Sequence, residues 1–449
     1  MIPGTYLEIN SAEVNENYIF KPIKYWDLTK NLVNNQNQNL NTSDNNLINN
    51  IDRLMRNSIK NQMIADVPIG AFLSGGIDSS MVVSIMQSIS SKKIKTYTLG
   101  FQEFEYDESK YAKKIANFLG TDHKEFILKP YDAINVISKL PYVYDEPFAD
   151  ISQIPMILIT EMASKEVKVC LSGDGGDEIF AGYNRYIFGA NIWNILKLFP
   201  LNFRIFISRI ILSISSEQIK KILIIPSFIF PSIFKLNIID QKIFKFANLI
   251  TAKNTSEIYH KIFYHDDIFN EIVVGVSNDE KEFNLNVGAS SKLDTVHKMI
   301  LEDMHFYLPD DILVKNDRAS MYSSLETRLP MLDHRLINYV NKIPTQKKIK
   351  FLKGKWILRK LLNKYLPRNL YERPKAGFTV PMAEWLRGPL KKWAEDLLNK
   401  NRIEKEGYFN PLLVDKIWKE HLSKKKNWSN LLWSIIVFQI WIKKKYNYE

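Results

Sequence analysis

The sequence predicts an α/β fold, a parallel sheet with flanking helices, joined to a helical C-terminal subdomain. Three observations carry this. Short apolar runs read as strands, "VPIGAFL" (67–73), "KTYTLGF" (95–101) and "VKVCLSG" (167–173), and the first and last of them enter glycine-rich turns. Between them lie stretches with helical periodicity, "SSMVVSIMQSI" (79–89), "SKYAKKIANFLG" (109–120) and "QIPMILITEMAS" (153–164). Beyond residue 187 the strand-like runs give way to longer helical ones. Strands separated by helices cross over to a neighbour rather than folding back as hairpins, which makes a parallel sheet.

In chain order, "TYLEI" and "YIFKPIKYWDL" read as strand fragments. Residues 31–50 are rich in asparagine, with little apolar surface to pack, and are expected to be a mobile connection. Pro68 bounds the first buried strand, and Met81, Val82, Ile85, Met86 and Ile89 recur at spacings of three and four, a helix with one apolar face. Residues 187–245 are strongly apolar, yet Arg204, Arg209, Glu217, Lys220, Lys221 and Lys235 interrupt them and Pro226 and Pro231 break the second run. A membrane span needs about twenty nearly uncharged residues, so buried helices are expected here. Loops are expected near 305–318 and 371–382. The organisation that follows is a linker over 1–49 and a main domain over 50–398. That domain has an α/β core to about 186 and a mainly helical part after it; a helical C-terminal segment over 399–449 packs on it.

A chain of 449 residues exceeds what one compact core holds, so two or more packed units are expected. The single cysteine, Cys170, excludes a disulfide framework and a cysteine-based zinc cluster and fits a reducing compartment. The start, "MIPGTYLEIN", has neither the basic nor the apolar region of a signal peptide, so a cytoplasmic location is expected. The net charge of +12 is scattered, with runs only at 424–426 and 443–445. Lysine and arginine are not interleaved with aromatics as in an RNA-binding module, so nucleic acid is not an expected partner.

"SGGIDSS" (74–80) joins the first strand to its helix. A tight turn needs glycine for positive φ, but it does not need Ser74, Asp78, Ser79 and Ser80. Backbone N–H groups and hydroxyls at a helix N-terminus suit an anion. The loop lacks the lysine of a G-x-x-x-x-G-K-[ST] loop and suits a pyrophosphate. Asp78 is a candidate Mg²⁺ ligand, since that cation takes one or two carboxylates plus phosphate oxygens. "CLSGDGGDEIFAGYNRY" (170–186) is a second apolar strand running into glycines and acids. Carboxylates so close repel unless a cation sits among them, which makes Asp177 the second metal candidate.

The S-G-G-x-D-S pattern resembles the PP-loop of ATP pyrophosphatases, which split ATP between the α and β phosphates to adenylate a substrate. With the second motif, the chain resembles the synthetase domain of glutamine-dependent asparagine synthetases and their β-lactam synthetase relatives. "TYTLGF" (96–101), "YDESKYAKKIANFLGTDH" (106–123), "DEPFAD" (145–150), "LPDDILVKNDRASMYSSLETRLPMLDHR" (308–335), "KWILR" (355–359) and "RPKAGFTVPMAEWLRGPL" (373–390) agree in order, from about residue 50 to 398. The resemblance implies an ATP-binding site at Leu73, Leu99, Ser172 and Gly173, with Ser74, Gly75, Gly76, Asp78 and Ser79 holding pyrophosphate and Mg²⁺. Asp174 stands where the family has a glutamate linked to forming the acyl-adenylate, and Lys375 matches the lysine that neutralises charge in the transition state.

Asp145, Asp150, Tyr183 and Asp311 are candidates for the acceptor pocket. Asp145 and Asp150 have an alternative as caps of the following helix, and Asp311, Lys315, Asp317 and Arg318 as inter-helix ion pairs. Glu326 and Arg328 are expected to pair in a buried loop. His123, His305 and His334 show no metal-ligand spacing.

The activity implied is ATP-dependent amidation of aspartate or a related carboxylate, with ATP and Mg²⁺ as cofactors. Glutaminase domains of this family carry an N-terminal cysteine nucleophile; here Met1 is followed by Ile2, and residues 3–27 resemble the segment between the two domains. Ammonia, free or from a separate glutaminase subunit, is therefore the expected nitrogen donor. An RNA-modifying PP-loop enzyme and an inactive subunit stay open as alternatives. The former lacks an RNA-binding appendage and a thiol pair, and the latter sits poorly with the presence of Asp78, Asp174, Asp177 and Lys375.

Overall fold

The computed structural model describes residues 1–9, 21–36, 40, 42–101, 107–213, 243, 245–263, 268–276, 293–373 and 380–446. At its centre is a five-stranded, wholly parallel sheet ordered β5-β4-β3-β6-β7. Its strands are β3 (Ile69–Phe72), β4 (Lys95–Phe101), β5 (Asp122–Leu128), β6 (Val169–Leu171) and β7 (Glu326–Arg328). In register, Ile69 pairs with Val169 and Ala71 with Leu171, while Gly70 pairs with Lys95 on the other side of β3. The α/β expectation holds, with the first helices close to where periodicity puts them: α3 (Ile77–Ile89) and α4 (Ser109–Leu119).

Alternation along β3 and its neighbours divides the core between the two faces. Ala71 and Leu73, with Val169 and Leu171, pack under α3, α4 and the helix Trp356–Leu362. Phe72, Tyr97, Leu99 and Phe101 face the helix Gln153–Ala163 and the C-terminal helices Pro411–Leu422 and Ser429–Tyr446. A third apolar cluster, around Tyr186, Ile258, Tyr259 and Met299, holds the helical part together.

Four expectations change. Residues 31–50 fall largely within helices, α1 (Leu28–Gln36) and α2 (Asp44–Gln62), rather than a structureless connection. Leu28 and Leu32, then Leu47, Ile51 and Met55, recur at helical spacing and bury, while Ser43 caps α2 by accepting from the Asn46 N–H. Among the described residues the early strand fragments make only a two-residue antiparallel pair, β1 (Thr5–Tyr6) with β2 (Ile23–Lys24).

The loop expected at 305–318 is helical. The helix Thr295–Glu302 widens into a π-helix, Asp303–Leu313, and tightens again into Val314–Tyr322. Pro309 lies inside the wide turn, where local adjustment of the ladder accommodates its missing N–H.

Finally, the helices Asn184–Leu196 and Leu201–Ser213 are not wholly buried. Phe203, Phe206 and Ile210 are exposed, while Arg204 turns inward and donates to the Phe199, Ile250 and Ala252 carbonyls. The apolar run 214–242 lies outside the described residues. No helix among the described residues is long and apolar enough to cross a membrane.

Candidate active site

From β3 the chain moves outward to β4 and β5 on one side, and from β6 to β7 on the other. The carboxyl ends of β3 and β6 therefore flank a topological switch point, the place where open α/β sheets bind ligands. Both motif loops emerge there.

The first loop, Ser74 to Ser79, runs directly into α3. Gly75 has φ +76°, and a Cβ on it would sit 2.8 Å from the Ala112 nitrogen, so only glycine serves. Gly76 caps α3 without a side-chain hydrogen bond; the N–H groups of the first turn are thus left for an incoming anion. Ser79 Oγ accepts from the Ser74 N–H at 3.2 Å and bonds the Ser74 hydroxyl at 3.0 Å, which fixes the loop.

The second loop presses against the first. A Cβ on Gly173 would lie 2.6 Å from the Ser79 nitrogen, and one on Gly176 would lie 2.6 Å from Asp78 Cγ. Two glycines thus let the loops approach within van der Waals contact. This brings Asp78 and Asp177 to one cation, the ammonium of Lys355, which pairs with Asp78 Oδ2 and with Asp177 Oδ1 at 2.7 Å. The Lys355 side chain is only 7% exposed. Burial alone would lower its affinity for a proton, but Asp177 and Asp78 outweigh it and hold it charged, above the usual lysine range. Gly354 packs on the Ala181 carbonyl and delivers Lys355 to this point.

A cleft of about 820 Å³ opens over the two loops. Among its lining residues are Leu73, Ser74, Gly76, Asp78, Ser79, Leu99, Ser172, Gly173, Asp174, Asp177 and Tyr183, all predicted from sequence. Gly75 lies behind it, its φ shaping the loop. Asp174 is half-buried, and burial pushes its carboxyl above the usual range although Ser172 Oγ donates to Oδ2 at 2.8 Å. Glu178, buried and bonded by the Tyr183 hydroxyl at 2.8 Å, is pushed up to about 7, chiefly by burial and then by Asp177.

Asp145, Asp150 and Asp311 do not line this cleft. Asp145 is exposed and pairs with Arg318 at 3.3 Å. Asp150 accepts from the Ser152 N–H, the turn before the helix Gln153–Ala163, and pairs with Lys315 at 2.6 Å. Burial and the neighbouring Asp150 push Asp311 up to about 8. The Glu326–Arg328 pair forms at 2.6 Å, but Glu326 is exposed rather than buried. Lys375 lies outside the described residues.

Sequence reasoning missed three site residues. Lys355 stands first in "KWILR", but nothing local says that it crosses to the two acids; the Gly-Lys pair opening a helical run was the available signal. Arg373 lines the cleft, pairs with Glu108 at 2.8 Å and stacks on the Tyr111 ring. Asn316 reaches Asp174.

Among the described residues no three histidine, cysteine, aspartate or glutamate side chains form a metal cage. Two carboxylates from separate loops facing one cation fit a hard ion that draws its other ligands from phosphate and water, as Mg²⁺ does.

Residues 50–443 match the asparagine synthase family. The chain belongs to the asparagine synthase family. Its relatives include asparagine synthetase [glutamine-hydrolyzing] 1 of Bacillus subtilis (strain 168), 28% identical over 90% of this chain and 61% of the relative. A putative asparagine synthetase [glutamine-hydrolyzing] 2 of Methanocaldococcus jannaschii is 36% identical over 60% of this chain and 48% of its own length. The Penicillium rubens protein named amidase chyE is 26% identical over 91% of this chain and 62% of its own length. The chain thus spans about three-fifths of the length of the first curated relatives it matches.

Proposed function

We propose that the chain is an ATP-dependent, AMP-forming amide synthetase that makes asparagine from aspartate and ammonia. The observation that carries this is the interlock of the two glycine-rich loops, which sets Asp78 and Asp177 on one cation at the switch point.

In this reading Leu73, Leu99, Ser172 and Gly173 bind adenosine, and Ser74, Gly75, Gly76 and Ser79 with the α3 N-terminus cradle pyrophosphate. Asp78 and Asp177 hold Mg²⁺, which supplies charge neutralisation beside the leaving group when bound. Lys355 adds fixed positive charge at the same place, a preorganised electrostatic contribution, and Lys375 is the lysine assigned to neutralise charge in the transition state. The acceptor's β-carboxylate oxygen bonds to the α-phosphorus as the bond to pyrophosphate breaks. Ammonia then bonds to the acyl carbon, AMP leaves with the carbon–oxygen electron pair, and the nitrogen loses a proton. Asp174 and Tyr183, both on the cleft, are the acceptor-side groups.

Cys170, the chain's one cysteine, is buried in β6, and burial pushes its thiol up. A thiol in that setting is a poor nucleophile, so Cys170 is given no glutamine-cleaving role, and ammonia is the nitrogen donor assigned to this cleft, free or supplied by a glutaminase. The test is pyrophosphate release from ATP with ammonium and a panel of acids that includes aspartate, malate and a sugar acid, followed by mass detection of ¹⁵N in the product. Aspartate is expected to be fastest, with label arriving from ¹⁵N-ammonium and not from amide-¹⁵N-glutamine. The amidase-named relatives place other carboxylates in the panel; a faster acid there would reassign the acceptor, and no pyrophosphate with any acid would refute the synthetase reading.

A further inference from the structure

We propose that Asn316 is a positioning residue that acts through Asp174, holding its carboxylate ionised and aimed at the acceptor; this rests on the synthetase reading above. Asn316 is 2% exposed, and its Nδ2 donates to Asp174 Oδ2 at 2.5 Å. Ser172 Oγ donates to the same oxygen at 2.8 Å. Both donors converge on Oδ2, so the carboxylate plane is fixed, while Oδ1 takes no protein donor among the described residues. Asp174 lines the cleft, and Asn316 stands behind it.

The helix that carries Asn316 explains the grip. It begins as the π-helix Asp303–Leu313 ends, and such wide turns recur at functional sites. Its first turn presents successive residues to two acids from different loops. Lys315 Nζ reaches Asp150 Oδ2 at 2.6 Å, and Asn316 reaches Asp174.

A packing role alone does not explain an asparagine here. Its Oδ1 is buried and has no partner among the described residues. A half-satisfied buried amide is worse for stability than a leucine of similar size. What the amide gains is its single bond to Asp174. That bond favours the ionised carboxylate and opposes burial, which pushes Asp174 the other way.

The test compares Asn316→Leu, Asn316→Ser, Asp174→Asn and the Asn316→Leu/Asp174→Asn double variant in the full chain. Affinity for a non-hydrolysable ATP analogue and the melting temperature report the fold. Both Asn316 variants should lose 10- to 100-fold in kcat for pyrophosphate release with ATP affinity within twofold of wild type. The acid limb of their kcat profile should move to higher pH, because a carboxylate that has lost a donor holds its proton longer. The double variant should be no slower than Asp174→Asn alone, since one residue acts through the other. Serine makes the comparison if leucine fails to fold. A kcat loss without movement of the acid limb, or a double variant slower by the full product of the single effects, would overturn the proposal. Full activity in Asp174→Asn would overturn both it and the role given to Asp174. Absence of activity in the wild type would instead sink the synthetase reading from which it starts.

Discussion

Replacing Lys355 by methionine should expose how the two loops are held together. Its ammonium sits 2.7 Å from Asp177 Oδ1 and also pairs with Asp78. At an effective dielectric constant of about 20, one such pair attracts by roughly 332/(20 × 2.7), or about 6 kcal/mol. Desolvation of all three groups offsets much of that, but removing one partner of a buried pair still costs about 3–5 kcal/mol, because the remaining charges stay buried without it. Here two carboxylates would be left facing each other. With an unfolding entropy near 2.1 cal/mol/K per residue over 449 residues, that loss lowers Tm by about 3–5 °C. Methionine keeps the stem, so packing is little changed. Calorimetry with and without Mg²⁺ reads the effect, and Mg²⁺ should raise Tm more in the variant than in the wild type, since the two acids then lack a resident cation. Equal melting temperatures and equal Mg²⁺ responses would mean that Lys355 does not neutralise Asp78 and Asp177.

Gly173→Ala should reduce pyrophosphate release at least tenfold and cost about 1–3 kcal/mol, because the new Cβ would lie 2.6 Å from the Ser79 nitrogen; denaturant melts and an initial-rate assay check both. Lys375→Ala should lower kcat and kcat/KM together, as expected of a charge felt mainly in the transition state. A rise in KM for ATP alone would make it a ground-state contact. Lys348, buried with its Nζ 3.3 Å from His297 Nε2, is pushed down to about 7 by burial. Unfolded, it binds a proton up to about pH 10.4, so between these values the unfolded state holds more protons and stability rises with pH, by at most about 1.4 kcal/mol per unit. Lys348→Met should flatten that slope in urea melts between pH 7 and 10, and an unchanged slope would place the lysine in water.

The three central strands were legible because their signals are local, whereas the edge strands β5 and β7 were not, and β7 lies where the sequence predicts a loop. Pro68 and the glycines of "SGG" bracket β3, and apolar runs of β-branched and aromatic residues mark β4 and β6. Cleft residues on the two loops were legible for the same reason, since each loop continues a strand whose pairing brings the loops together. Lys355 and Asn316 were not, because each reaches its partner across a long stretch of chain, from 355 to 78 and from 316 to 174. The helices at 28–36 and 44–62 were obscured by asparagine, which weighs against a helix in composition but faces water here while the leucines bury. The stretch 305–318, expected to be a loop, is likewise helical, and its π-helix accommodates Pro309.

The pattern of pairing around the cleft bears on which acceptor the site suits. Asp78 and Asp177 face Lys355, Glu108 faces Arg373, Asp150 faces Lys315, and Asp303 faces Arg185 at 2.7 Å. By contrast, Asp174 takes its bonds from Ser172 and Asn316, and Glu178 takes its bond from Tyr183. Both of these acids line the cleft, and the hydroxyls and amide that donate to them are neutral. Carboxylates held by neutral donors are open to an incoming cation, whose arrival favours the ionised form of each against the burial that raises both. An acceptor that carries an ammonium beside its carboxylate supplies that cation, whereas a hydroxy acid or a sugar acid does not. Aspartate against malate, which differ in that one group, is therefore the comparison that separates an amino-acid site from a general carboxylate site. Equal pyrophosphate release with the two would show that Asp174 and Glu178 do not read the ammonium.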